Sequence, residues 1–259
     1  MSITSEIFGG SIPPWVMRFV KQTGKGINRF DMIKENERVL LGISGGKDSL
    51  ALAFALALRK RWLPINYDLH AVHINWSEYP VTDTQLDALK EFFSEIGVSF
   101  ETVNVRMFAE SFDDDFNCYL CSRNRKRVLF NIAEEKGYTK IALGHHLDDI
   151  VETTLINLCF RGRFTTMLPV QEFFSGKLHI IRPMCEVRES AVLRLSDNLQ
   201  FPVCKSPCPY NETNIRSRVK PIISSLSHVD KLTREHIYNA FWKEKDDFND
   251  LLQLLQKKS

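Results

Sequence analysis

Ser44-Gly45-Gly46-Lys47-Asp48-Ser49 follows directly on the apolar run 38–43 and precedes the apolar-rich stretch 50–58. A buried strand, a small flexible loop and a helix, in that order, make a corner suited to phosphate. Gly45 and Gly46 let backbone N–H groups face an anion, and the helix N-terminus adds a positive partial charge. Lys47 contributes a mobile cation, and Ser44 and Ser49 contribute hydroxyl donors. The spacing is not that of a Walker A loop, because Asp48 follows Lys47 where Ser or Thr would stand. A second set is Cys118-Tyr119-Leu120-Cys121, followed at once by Arg123, Arg125, Lys126 and Arg127. A helix start and neighbouring cations both favour thiolate, so this pair could hold a metal or act as a redox couple. Cys204 and Cys208 recur in FPVCKSPCPY. Two pairs invite a four-cysteine zinc site, although their separation far exceeds the about 15–20 residues of a compact zinc ribbon. The third set is Gly144-His145-His146-Leu147-Asp148-Asp149. Helix capping accounts for one of its carboxylates, and Mg²⁺ or proton handling beside a phosphate is the chemistry the set could do. Of the remaining cysteines, Cys159 sits in the apolar run 155–160 and reads as core, and Cys185 reads as structural.

These residues need a frame. Strands are predicted over 38–43, 66–75, 99–105, 140–144 and 178–182, and helices over 48–60, 83–96, 119–136, 148–160 and 187–199. Strands alternating with helices of this length imply an α/β fold, a parallel sheet with helices on both faces. Ligands of such sheets sit at the carboxyl ends of strands, where the phosphate loop and the 144–149 segment both fall. His73 and Asn75 end the second strand, where adenine or ribose would sit. Pro13-Pro14 opens a helix whose Arg18, Lys21, Lys25 and Arg29 share one face; Gly24 and Gly26 weaken it. That face is either a solvated charged surface or an RNA-contacting stripe. The division expected is an N-terminal basic helical arm over 1–35, a nucleotide-binding catalytic domain with the cysteine site over 36–210, and a helical extension over 211–259.

Composition narrows the class. A chain of 259 residues with 44% apolar and 25% charged residues is of ordinary globular make-up. No apolar run is long enough for a membrane span, and the first residues lack the features of a secretory signal, so the expectation is a cytoplasmic protein with no membrane partner. Net charge is only +2, so nucleic-acid binding has to rest on local clusters. Six cysteines in such a chain read as ligands or catalysts before disulfides.

The loop 44–49 resembles the SGGxDS signature of the PP-loop ATP pyrophosphatases. TGKGINRFDMI, the CxxC with its basic helix, LGHHLDDIVET (143–153) and IRPMCEVRE (181–189) resemble the tRNA 2-thiolation branch of that superfamily, most of all its members acting on cytidine 32. The resemblance covers roughly residues 20–210. It implies cleavage of ATP between the α and β phosphates, with adenylation of the C2 oxygen of a tRNA pyrimidine and sulfur transfer through a 4Fe–4S cluster. It implies Cys118, Cys121 and Cys208 as cluster ligands, with Cys204 the competing third. It implies ATP contacts at Ser44, Gly45, Gly46, Lys47, Asp48, Ser49, His73 and Gly144. Lys47, Asp48 and Asp148 are the expected catalytic residues, with Mg²⁺, and Arg123, Arg125, Lys126 and Arg127 the expected RNA contacts. The implied partners are tRNA, a sulfur donor (a cysteine desulfurase-type protein or free sulfide) and a second copy in a homodimer. The late loop departs from the cytidine pattern: Cys-Pro-Tyr resembles enzymes that thiolate uridine 54, whose terminal zinc-finger cysteine pairs are missing here. Two rival readings remain: a PP-loop enzyme with a nitrogen nucleophile and zinc-holding cysteines, and a zinc-stapled RNA-binding module without catalysis.

Overall fold

The computed structural model describes residues 3–108, 118–204 and 215–242. The chain divides into two compact units, one of Met1–His146 and Pro169–Tyr210, the other of Leu147–Leu168 and Asn211–Ser259. The first unit holds a six-stranded sheet. Its strands are β1 (Glu37–Ile43), β2 (Tyr67–Trp76), β3 (Ser99–Val105), β4 (Lys140–Leu143), β5 (Val170–Phe173) and β6 (Leu178–Ile181). Their order is β3-β2-β1-β4-β6-β5. All neighbours run parallel except β5, which pairs antiparallel with β6, Val170 opposite Ile181. The sheet is mostly parallel, as expected, and only its β5 edge runs against the rest. β5 is too short to show a period, and its pattern is only half-buried.

The strand order reverses between β1 and β4, which places a crevice at their carboxyl ends. Consecutive side chains of a strand face opposite sides of the sheet. Leu40, Val72, Ile74 and Ile141 pack with Val128, Leu129 and Ile132 of helix α5 (Cys118–Glu135). Val39, Leu41, Ala71 and Ala142 are buried on the other face. Helix α3 (Lys47–Arg59) is buried along its whole length from Ser49, as expected of KDSLALAFALALR, apolar all round. Tyr67 donates its hydroxyl to the Leu56 carbonyl at 2.7 Å, which ties β2 to α3.

Helices α1 (Ile3–Gly9) and α2 (Pro14–Arg29) precede the sheet, and α4 (Asp83–Glu95) links β2 to β3. α2 packs on α3 and on α7 (Glu189–Asn198). Its glycines do not break it. A Cβ at Gly26 would lie 2.8 Å from the Pro183 carbonyl oxygen and 3.2 Å from the Cys185 sulfur, so the small residue permits close packing. Cys185 is fully buried there, the structural role expected of it.

The second unit contains α6 (Leu147–Arg161), α8 (Ile215–Val229) and a helix over 233–242; the expected helical tail beyond 242 lies outside the described residues. Cys159 is exposed at the end of α6, with Leu158 and Phe160, which corrects its placement in the core. An apolar run reads as buried only when a neighbouring element covers all its faces. Among the described residues no helix is long and apolar enough to cross a membrane.

Gly26→Ala should overpack the α2 contact and lower stability by about 1–3 kcal/mol, read as the shift in a urea unfolding midpoint. An unshifted midpoint would contradict the contact.

Candidate active site

The phosphate-type loop joins β1 to α3, and its conformation is held from within. Gly45 has φ +82°, the left-handed region that favours glycine. The Gly46 N–H donates to Ser44 Oγ at 3.2 Å, and the Ser49 hydroxyl donates to the Gly46 carbonyl at 2.9 Å. Ser49 is thus buried in the loop's own network. Lys47 Nζ lies 3.0 Å from Asp48 Oδ1 and 3.3 Å from Glu189 Oε1. Burial works against the Lys47 charge, but Asp48 and Glu189 outweigh it and hold the ammonium above the usual lysine range.

The segment after β4 rests on this loop. A Cβ at Gly144 would stand 2.7 Å from the Asp48 carbonyl oxygen and 2.8 Å from the Ser49 nitrogen. His146, almost fully buried, brings Nε2 to 3.6 Å from Asp48 Oδ1. His145 Nδ1 accepts from Arg182 Nε at 3.3 Å, and Arg182 is itself buried at the end of β6.

At the end of β2, His73 is 3% exposed. Its Nδ1 donates to the Ile43 carbonyl at 3.0 Å, which leaves Nε2 with a lone pair. Among the described residues Nε2 has no hydrogen-bond partner. Burial pushes the imidazole below its ordinary value, Arg125 adds to this, and the Ile43 carbonyl opposes it. Asn75 is committed elsewhere: it donates to Asn104 Oδ1 at 2.8 Å and accepts from the Val81 N–H at 3.0 Å.

Cys118 opens α5, and Cys121 follows one turn later, half-buried. Arg125, four residues on, shares the helix face of Cys121. Its guanidinium stands 5.9 Å from the Trp76 ring centre. Lys126 is half-buried, and burial, with Arg182 nearby, lowers its value from the lysine norm. Arg123 and Arg127 are exposed. The four basic residues therefore divide into two that turn toward the sheet edge and two that face solvent. Cys204 is buried: its N–H donates to the Gly45 carbonyl at 2.9 Å, and burial raises its thiol. Cys208 lies outside the described residues.

Asp148 and Asp149 belong to the second unit. Asp148 accepts from Arg234 Nε at 2.6 Å, Asp149 from Arg216 Nη1 at 3.0 Å, and Glu152 pairs with Lys220 at 3.7 Å. On α2, Arg29 and Lys25 pair with the nearly buried Glu186, so half of the predicted basic stripe fastens its helix. Glu189, at the end of the 181–189 segment, joins the site through Lys47, a contact that local sequence does not signal. Only its place in the first turn of a helix could have drawn attention to it.

A glycine-cornered loop at the switch point, with a lysine over a helix start, defines a nucleotide-type phosphate site. The profile of the PP-loop domain matches residues 17–221, and the chain belongs to the PP-loop family. It is similar to the tRNA-cytidine(32) 2-sulfurtransferase of Burkholderia lata, at 32% identity over 87% of this chain and 69% of that protein. It is similar also to the tRNA-cytidine(32) 2-sulfurtransferase of Delftia acidovorans, at 34% identity over 74% of this chain and 61% of that one. Among solved structures it resembles the U34-tRNA thiolase NcsA from Methanococcus maripaludis with its 4Fe–4S cluster. The TM-score is 0.72 at 26% identity, covering 88% of this chain and 78% of that chain.

Two outcomes test the geometry. The His73 imidazole should titrate by NMR below 6.5. Its folded value lies under the unfolded one, so stability present above pH 6.5 is lost as pH falls through the folded value. His73→Asn should flatten that loss. Gly144→Ala should drive a Cβ into backbone and cost about 1–3 kcal/mol in a thermal melt.

Proposed function

We propose that the chain is an ATP-dependent tRNA 2-thiolation enzyme, acting on a pyrimidine with cytidine 32 the first candidate. One observation carries the reading. The helix that bears Cys121 lays Arg125 5.9 Å from the ring of Trp76 on β2, and His73 of the same strand lies against Gly45 of the phosphate loop. A cysteine site on α5 and a nucleotide on the loop would then share one cavity.

ATP lays its phosphates on Ser44, Gly45, Gly46 and Ser49, with Lys47 countering their charge. The C2 oxygen of the base attacks the α-phosphorus, pyrophosphate leaves, and sulfide then displaces AMP from the adenylated base. Positioning and preset charge dominate such phosphoryl chemistry. Asp48, held between Lys47 and His146, is the stronger candidate for Mg²⁺, which takes one or two carboxylates with phosphate oxygens. Asp148, paired with Arg234, is the other carboxylate proposed for catalysis. Gly144 gives the loop its clearance, and the neutral His73 offers an acceptor to ribose or adenine. Arg125 and Lys126 suit the polarised base or nearby phosphate, and Arg123 and Arg127 suit RNA phosphates.

The donors present fit an iron–sulfur group. Cys118 and Cys121 begin a basic helix, which favours thiolate. Cys204 is buried against Gly45 with a raised thiol, which supports Cys208 as the third ligand. When bound, a cluster with three cysteine ligands supplies an iron with an open coordination position for hydrosulfide. The same reading makes the enzyme a cytoplasmic homodimer that draws sulfur from a cysteine desulfurase-type protein or free sulfide.

Anaerobic protein with ATP, Mg²⁺, sulfide and tRNA should yield 2-thiocytidine on nucleoside digestion, with about four irons and four labile sulfides per chain. Lys47→Ala and Cys121→Ala should each cut the yield by about 10²–10³. Full activity in either variant refutes the proposal. A colourless protein holding one zinc would favour the nitrogen-nucleophile reading, and 2-thiouridine would move the target to a uridine.

A further inference from the structure

Lys47 sits where two helices begin. α3 starts at Lys47 itself, α7 starts at Glu189, and the two helices pack together. Helix N-termini carry positive partial charge, so an ammonium placed between them is opposed by the backbone around it. Two carboxylates answer that opposition, one from each helix. Asp48 reaches Nζ from the same helix at 3.0 Å, and Glu189 reaches it from across at 3.3 Å. Both Lys47 and Glu189 side chains are 24% exposed, so the pair is only partly screened by water. His146 Nε2 lies 3.6 Å from the same Asp48 oxygen. The dipole of α7 explains a carboxylate at its first position. It does not explain why that carboxylate is seated on the one lysine of the phosphate loop.

We propose that Glu189 is a positioning residue for nucleotide binding: it holds the Lys47 ammonium as a stand-in anion until a polyphosphate takes the lysine over. The inference rests on the nucleotide reading above and adds a competitor for its key cation. Glu189 does not touch the reacting atoms; it acts through Lys47. A carboxylate at this place adds a second counter-charge to Lys47 beside Asp48. It also opposes any anion that approaches the loop, so the entering ligand must be charged enough to win Lys47 from it.

The test is calorimetric titration with pyrophosphate, without Mg²⁺, against adenosine as the uncharged control. Glu189→Gln should bind pyrophosphate about two- to fivefold tighter than the unaltered protein, the scale of a partly exposed ion pair. Adenosine affinity should stay level, and Glu189→Asp should restore the ordinary pyrophosphate affinity. Glu189→Ala, which keeps a good helix former at this position, serves as a second neutral variant. In turnover, the neutral variants should lower KM for ATP and lower kcat with it, because Lys47 is no longer aimed. Pyrophosphate affinity that is unchanged or weaker in both neutral variants, or a shift shared equally by adenosine, overturns the role of Glu189. Failure of the unaltered protein to bind either ATP or pyrophosphate would instead bring down the nucleotide reading itself.

Discussion

The backbone of the β4 loop and the backbone of the phosphate loop touch at Gly144, and the site depends on that contact. With no side chain there, the Asp48 carbonyl and the Ser49 nitrogen can lie closer than any Cβ would allow. The contact brings His146 against Asp48 and, through Asp48, against Lys47. It is possible only because β4 pairs with β1, Gly42 opposite Leu143, at the place where the strand order turns back. Sheet topology thus decides which side chains share the phosphate loop, and a single missing methyl decides how near they come.

The electrostatics of the first unit follow from this. Cations converge on the carboxyl edge from several directions: Lys47 from α3, Arg125 and Lys126 from α5, and Arg182 from β6. The two lysines are handled in opposite ways. Lys47 has two carboxylates, while Lys126 is pushed toward the neutral amine by burial and by Arg182. In the second unit the carboxylates of α6 are matched by Arg216, Lys220 and Arg234. A basic tail of ordinary composition thereby becomes a set of individual counter-ions.

Much of this was legible in the amino-acid sequence. The five strands and five helices predicted for the βα alternation lie within two residues of their bounds, because they stand between clear turns; the short edge strand β5 escaped. The loop 44–49 was legible because glycines, lysine and hydroxyls stand between a strand and a helix. What escaped depended on distance in space. Glu189 follows Lys47 by well over a hundred residues, and only the packing of α7 on α3 joins them. The commitment of Asn75 to Asn104 and Val81 needed the β2–β3 register. The exposure of Cys159 needed knowledge of which elements leave α6 uncovered. Local pattern reports secondary structure and turn chemistry well; it is silent on which charges meet.

Arg59 closes α3 with its guanidinium almost fully inside the protein, and it donates to Asn28 Oδ1 of α2 at 2.9 Å. An interior charge of this kind is costly once its acceptor is gone. Trimming the chain from its beginning to a point past residue 28 would therefore strand a cation in the interior rather than shed an appendage. A side chain at position 28 without an oxygen would expose the fold to the same cost.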